Sequence, residues 1–174
     1  MTLDELQSVA GECGLPKFAA KQIADWIYKK RVTSIEEMTN ISVANRTLLS
    51  EKFDVGVNKP VEYQQSVDGT VKYLFRTDKG KLIESVMIPE DDRKTLCVSS
   101  QVGCKFNCLF CMTGKQGFGG NLTANEILNQ IYSVREAEEL TNVVFMGMGE
   151  PLDNYDEVKK ALDIMTADYG MAWS

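Results

Sequence analysis

The sequence predicts an α/β protein: a helical first stretch, a small β meander, and a last stretch in which strands and helices alternate. Three observations carry this. Apolar residues recur at helical spacing up to about Val55. They alternate with polar ones within 56–95. From 96 to 174 the order is strand, loop, helix, strand, helix, which implies parallel strands joined by crossover helices. The expected domains are 1–55 (helical), 56–95 (meander) and 96–174 (two strand–helix units).

In the first stretch, Leu3, Leu6, Val9 and Ala10 share a helix face, and Gly11 and Gly14 end the pattern. After Pro16, Phe18, Ala19, Ile23 and Ile27 repeat at helical spacing, as do Ala20 and Ala24. Lys29, Lys30 and Arg31 close this helix; they either complement its dipole or contact RNA. Ser42 is the expected N-cap of a third helix, with Val43, Leu48 and Leu49 inward.

In the second stretch, Val71, Tyr73 and Phe75 alternate with Lys72, Leu74 and Arg76 between the turn signals Asp68-Gly69 and Asp78-Lys79-Gly80. Leu82 to Ile88 is a further strand. Glu84 interrupts it, either facing solvent on the alternate side or forming the wall of a site, where burial would raise its basicity.

In the third stretch, Leu96 to Ser99 reads as a short strand. Thr123-Ala124-Asn125-Glu126 is a capping box opening a helix with Ile127, Ile131 and Val134 on one face. Val143 to Met146 is a second buried strand. Asn154 through Glu157 can cap the last helix, with Val158, Ala161, Leu162 and Met165 inward. Two strand–helix units are too few to close a barrel.

Composition narrows the chemistry. The 174 residues are 44% apolar and 25% charged, enough for one ordinary domain or a small domain plus part of another. No apolar run reaches the ~18 residues of a membrane span. Met1 to Ala10 carries Asp4 and Glu5 and no secretory pattern, so a cytoplasmic location without a membrane partner is expected. The net charge of −6 is concentrated in the last third, where 5 basic residues face 10 acidic ones. Overall charge therefore does not call for a nucleic acid, although a local basic face can suffice. The chain has no histidine, which excludes Ser-His and Cys-His catalysis and His-ligated zinc or haem within it. Five cysteines, an odd number, argue against a disulfide framework.

Three of these cysteines lie within eight residues, Cys104-Lys105-Phe106-Asn107-Cys108-Leu109-Phe110-Cys111, in a loop after a strand. Three thiolates on one loop can converge on a soft metal centre. An iron–sulfur site with one open iron, a zinc site completed by Cys97 or Cys13, and buried reduced thiols are the alternatives. Met146-Gly147-Met148-Gly149-Glu150-Pro151 follows the next strand. Its glycines let a ligand approach the backbone at the edge where parallel sheets bind ligands, and Glu150 can accept from a ligand amine.

The spacing CxxxCxxC, with aromatic Phe110 before the last cysteine, and the Met146–Glu150 segment together resemble the radical S-adenosylmethionine superfamily. The phrases Asp68–Arg76, Leu82–Val86, Cys97–Cys104, Asn121–Thr123 and Met146–Pro151 resemble the RlmN/Cfr adenosine methyltransferases, and residues 15–55 resemble that family's helical accessory domain. The resemblance implies that 96–174 begins a partial (β/α) radical-SAM barrel. It implies a [4Fe-4S] cluster on Cys104, Cys108 and Cys111, and S-adenosylmethionine held at its methionine end by Gly149 and Glu150, with Phe110 in the cofactor-binding loop. In the family the cluster reduces S-adenosylmethionine to a 5′-deoxyadenosyl radical. That radical activates a methyl group carried on a cysteine, and the methyl carbon then adds to the adenine ring. By match, Cys97 resolves the resulting crosslink through a disulfide and Glu84 accepts the proton. A radical is needed because adenine C2 is an electron-poor amidine carbon. The implied substrates are adenosines of 23S ribosomal RNA and tRNA, methylated at C2 (RlmN type) or at C8 (Cfr type), with an electron donor such as flavodoxin.

The family's methyl-carrying cysteine lies in its C-terminal half, and no cysteine follows Cys111 here. The expectation is a fragment that is inactive alone. The competing classes are a different radical enzyme sharing only the cysteine loop and a non-catalytic zinc or RNA-binding module. Two geometric expectations follow: the three cysteine sulfurs face one point, and Glu84 lies on the side of Cys97 and of the C-terminal edge of the 143–146 strand.

Overall fold

A computed structural model describes residues 1–173. In chain order its elements are α1 (Leu3–Glu12), α2 (Ala19–Ala24), α3 (Val43–Ser50), β1 (Glu62–Gln65), β2 (Val71–Arg76), β3 (Leu82–Pro89), β4 (Lys94–Cys97) and β5 (Gln101–Gly103). There follow α4 (Met112–Lys115), β6 (Phe118–Asn121), α5 (Ala124–Tyr132), β7 (Asn142–Val144) and α6 (Tyr155–Thr166). The residues form two compact units, one from Met1–Val57 with the chain from Lys160 on, the other from Asn58–Lys159.

The first unit is helical. Thr2 and Glu5 form a reciprocal capping box on α1, which buries Leu6, Val9 and Ala10. Helix α2 runs into a π-helical turn, Asp25–Lys29, and the two bury Ala19, Ala20, Ile23, Ala24 and Tyr28. Phe18, expected on this face, stands ahead of the helix and is exposed. Ser42 Oγ accepts from Asn45 N at 3.3 Å and caps α3. Of that helix's apolar residues only Leu49 is buried, while Val43 and Leu48 are exposed. Adjacent residues on a helix point about 100° apart, so Leu48 and Leu49 cannot share one narrow contact. From Lys160 on, α6 contributes buried Ala161, Ile164 and Met165, whereas Leu162 faces outward.

The second unit is built on one five-stranded sheet in the order β1-β2-β3-β4-β7. The meander strands and β4 pair antiparallel, and β4 pairs parallel with β7. The sheet therefore continues without a break from the meander into the strand–helix part. Its buried face carries Val71, Tyr73 and Phe75 from β2, Ile83, Ser85 and Met87 from β3, and Leu96 from β4. The reciprocal capping box of Thr123 and Glu126 starts α5, which buries Ile127, Leu128, Gln130 and Ile131. Each large aliphatic side chain buried this way contributes about 1.5–3 kcal/mol relative to exposure. The opposite face carries Lys72, Leu74, Glu84, Val86 and Cys97, in the register Leu74↔Glu84 and Val86↔Cys97. Strands β5 and β6 form a separate antiparallel hairpin whose connection, 104–117, contains the three clustered cysteines. Among the described residues no helix is long and apolar enough to cross a membrane.

Candidate functional site

The site is assembled at the C-terminal ends of the parallel pair β4 and β7. Past β7 the chain turns back against the segment after β4. Gly147 N donates to Val98 O at 3.1 Å, and Ser100 N and Gln101 N donate to Met148 O at 2.9 and 3.1 Å. Met148 N donates to Ser99 Oγ at 2.9 Å. Gly149 has φ +97°, and a Cβ there would lie 2.5 Å from Gln101 Cβ, so only glycine fits this close approach. Glu150 N donates to Gln101 Oε1 at 3.0 Å, and one Glu150 carboxylate oxygen accepts from Leu152 N at 3.1 Å.

A buried polar network underlies this turn. Gln130, on α5, accepts from Ser85 Oγ at 2.6 Å and from Ser99 N at 2.8 Å, and donates to Ser99 O at 2.9 Å. Asn154 Nδ2 donates to Ser100 O and to Leu122 O, both at 2.8 Å. Asn154, expected as a helix cap, instead braces these two backbone segments. Ser99, Gln101 and Gln130 are fully buried, and Asn154 is nearly so. Unpaired, each such group would cost about 1–3 kcal/mol. Sequence reading missed Ser99, Gln101 and Gln130 as site supports. Their one signal was polarity out of place: Ser99-Ser100-Gln101 directly after a buried strand, and Gln130 inside the apolar stripe of α5.

The cysteine loop is pinched at its base. Gly103 has φ +70°, and a Cβ on it would meet Gly117 O at 1.8 Å; Cys104 N donates to that carbonyl at 3.0 Å. Cys108 is exposed, Cys104 and Cys111 are half-buried, and all three are free thiols. Phe110 and Leu109 project into solvent, each 92% exposed. The amides of Gly114 and Thr113, at the start of α4, hold the Cys111 thiol below its ordinary pKa. The three cysteines thus share one open loop, but among the described residues no three Cys, Asp or Glu side chains stand together as a metal-binding group. The expected convergence of the sulfurs is not formed here. The donor set nonetheless fits a soft cluster: three free thiols within eight residues, in a chain with no histidine to compete. Loops of this kind draw in as metal binds, because binding and ordering are coupled.

Glu84 and Cys97 lie on one face of the sheet. Cys97 stands opposite Val86, and Ser99 Oγ donates to Glu84 O at 2.6 Å, which puts Glu84 at the C-terminal end of the parallel pair. The Glu84 carboxylate is 3.1 Å from Lys72 Nζ, with both side chains about half exposed. Burial pushes the Cys97 thiol above its ordinary pKa, against a weaker opposing contribution from the Met146 backbone, so it is a protonated thiol at neutral pH. Lys105, inside the cysteine loop, lies 2.7 Å from Asp153 Oδ1. Lys105 first, and Gln101 second, hold the Asp153 carboxyl below the usual carboxylate range.

Comparison with known proteins gives one consistent set of likenesses. Residues 98–172 match the Radical SAM superfamily, and residues 1–55 match the ribosomal RNA large subunit methyltransferase N-terminal domain. Over all 174 residues the chain is 67% identical to a Parabacteroides distasonis protein named "Probable dual-specificity RNA methyltransferase RlmN", covering 51% of it. It is 45% identical to the dual-specificity RNA methyltransferase RlmN of Geobacter sulfurreducens, again over the whole chain and 48% of the relative. The crystal structure of a radical SAM methyltransferase from Sphaerobacter thermophilus superposes with a TM-score of 0.91 at 39% identity, covering the whole chain and 53% of that protein. The chain spans about half the length of the relatives it matches.

Proposed function

We propose that this chain, which belongs to the radical S-adenosylmethionine family of the RlmN type, serves the methylation of RNA. The observation that carries the reading is the pairing of two loops at one end of β4 and β7. A three-thiol loop leaves that end through β5, and the Gly149–Glu150 turn is bonded along the segment between β4 and β5. In this reading Cys104, Cys108 and Cys111 hold a [4Fe-4S] cluster, which when bound supplies the electron that cleaves S-adenosylmethionine. A flavodoxin-type donor is the proposed electron source.

The chain's own residues then have separable tasks. Gly149, packed against Gln101, shapes the backbone turn that receives the methionine end of S-adenosylmethionine. Glu150 presents its carboxylate to the amine, while its own amide is fixed by Gln101. Phe110, exposed on the loop, covers the cofactor. Glu84, 3.1 Å from Lys72 Nζ, accepts the proton released when the methylated ring regains aromaticity. Cys97, on the same sheet face as Glu84, is the partner for a disulfide with a methyl-carrying cysteine. The proposed target is adenosine C2 in 23S ribosomal RNA and tRNA, which places the reaction in the cytoplasm. C8 methylation is the second reading. Residues 112–174 hold no cysteine to carry the methyl group, so we propose that the 174-residue chain does not methylate RNA by itself.

Anaerobic reconstitution with iron and sulfide tests the reading. Iron and sulfide should bind in near-equal amounts with a sulfide-to-iron absorption band, and Cys104→Ser, Cys108→Ser or Cys111→Ser should each abolish uptake. Zinc retained in place of iron, without sulfide, would overturn it.

A further inference from the structure

The cysteine loop and the Met146–Glu150 turn are joined by a side-chain bridge that the proposed chemistry does not use. Lys105 directly follows Cys104 and places Nζ 2.7 Å from Asp153 Oδ1. The other oxygen, Asp153 Oδ2, accepts from Gln101 Nε2 at 2.7 Å. That amide nitrogen also donates to Asn121 Oδ1 at 2.8 Å, and Gln101 Oε1 accepts from Glu150 N at 3.0 Å. Gln101 is fully buried, and its amide has no rotational freedom once these bonds are made. One continuous chain of contacts therefore runs from the residue beside the first cysteine, through Asp153 and Gln101, to the backbone of Glu150.

We propose that Lys105 and Asp153 are positioning residues, a strap that makes the cysteine loop and the Gly149–Glu150 turn move as one body. The strap rests on the function proposed above only in taking that turn as the methionine-binding element. Its chemistry requires a cation on the loop and a carboxylate just past the turn, in the helical turn Pro151–Asn154. Asp153 is the junction because each of its oxygens serves a different element. With the strap closed, a loop drawn in by a cluster carries the turn with it; with the strap cut, the two order separately.

Hydrogen exchange of the 174-residue chain, read by mass spectrometry, tests this. In Lys105→Met, exchange should quicken by about threefold to fivefold, the scale of a lost exposed ion pair, in both 104–111 and 149–154. It should stay unchanged in 71–76 and 124–132. Asp153→Asn, which keeps an acceptor for Gln101 but removes the charge, should behave like Lys105→Met, and Lys105→Arg should restore wild-type rates. The proposal is overturned if 149–154 keeps wild-type exchange in Lys105→Met, or if Lys105→Arg fails to restore it. With iron and sulfide added anaerobically, wild type should gain protection in both segments, and Lys105→Met in 104–111 alone. Absence of iron and sulfide uptake in every variant would sink the radical-SAM reading and leave the strap to be decided by the metal-free comparison.

Discussion

Gln130→Leu should destabilise the second unit by about 2–4 kcal/mol, although it replaces a buried side chain with an apolar one of similar size. The change removes the partner of three buried groups: Ser85 Oγ at 2.6 Å, Ser99 N at 2.8 Å and Ser99 O at 2.9 Å. Each orphaned group costs about 1–3 kcal/mol. Relaxation and the burial of leucine's extra apolar surface offset part of the sum. Ser85→Ala should cost only about 0.5–1.5 kcal/mol, because Gln130 Oε1 keeps its bond from Ser99 N. The double variant should be clearly less destabilised than the two single changes added together, since the Ser85–Gln130 bond is lost only once. The assay is urea unfolding followed by circular dichroism. Tryptophan fluorescence serves as a parallel probe of the other unit, because Trp26 and Trp173 both lie there. A Gln130→Leu chain within about 1 kcal/mol of wild type, or strict additivity in the cycle, would refute the reasoning.

Gly149→Ala should displace the turn and lower stability by about 2–5 kcal/mol, from its positive φ and the overlap with Gln101 together. Gly11→Ala, inside α1 with no atom within 4 Å of the new Cβ, should instead stabilise by about 0.5–1 kcal/mol. Paired thermal melts check both. Burial, and next its bond to Glu136, push the Tyr73 phenol up to about 12. The unfolded phenol loses its proton near pH 10 while the folded one keeps it. Stability should therefore fall as pH rises between about 10 and 12, with no effect below, and Tyr73→Phe should flatten that window. Denaturant midpoints across that range, beside absorbance at the phenolate band, decide it. Strand β7 pairs only with β4 among the described residues, so its open edge should favour self-association. Light scattering that reports one monomeric species at every concentration would contradict this.

The legible parts of the fold were those written in local order. The alternation in Val71–Arg76 announced a half-buried strand, and Thr123 with Glu126 announced the start of α5, because pleat and cap depend on near neighbours. The cysteine spacing and the Gly149-Glu150 turn marked the candidate site for the same reason. What stayed hidden depends on distant partners. Nothing local shows that the meander and the parallel pair share one sheet, or that β5 and β6 close the cysteine loop into a hairpin. Phe18 and Leu48 look like core residues at helical spacing and are exposed, since periodicity names a face without saying how wide its contact is. Ser85 and Gln130 look like surface residues and lie in the core because each satisfies the other.

That hidden pair also bears on the side of the sheet it does not occupy. A slip of one residue in β3 would turn Ser85 outward and Glu84 toward α5, exchanging every side chain between the faces. The alternating apolar residues resist such a slip weakly here, because Leu82, Val86 and Ile88 on the outer face are as apolar as Ile83 and Met87 on the inner one. Two bonds supply what the pattern lacks. Ser85 Oγ is held from behind by Gln130, and Glu84 O is held at the strand's side by Ser99 Oγ. Gln130 also fixes Ser99 through its backbone, so one buried amide sets the register of β3 and the path of the chain after β4. The carboxylate proposed as proton acceptor and the thiol proposed for disulfide exchange face the same way because a glutamine on the opposite side of the sheet leaves β3 a single satisfied register.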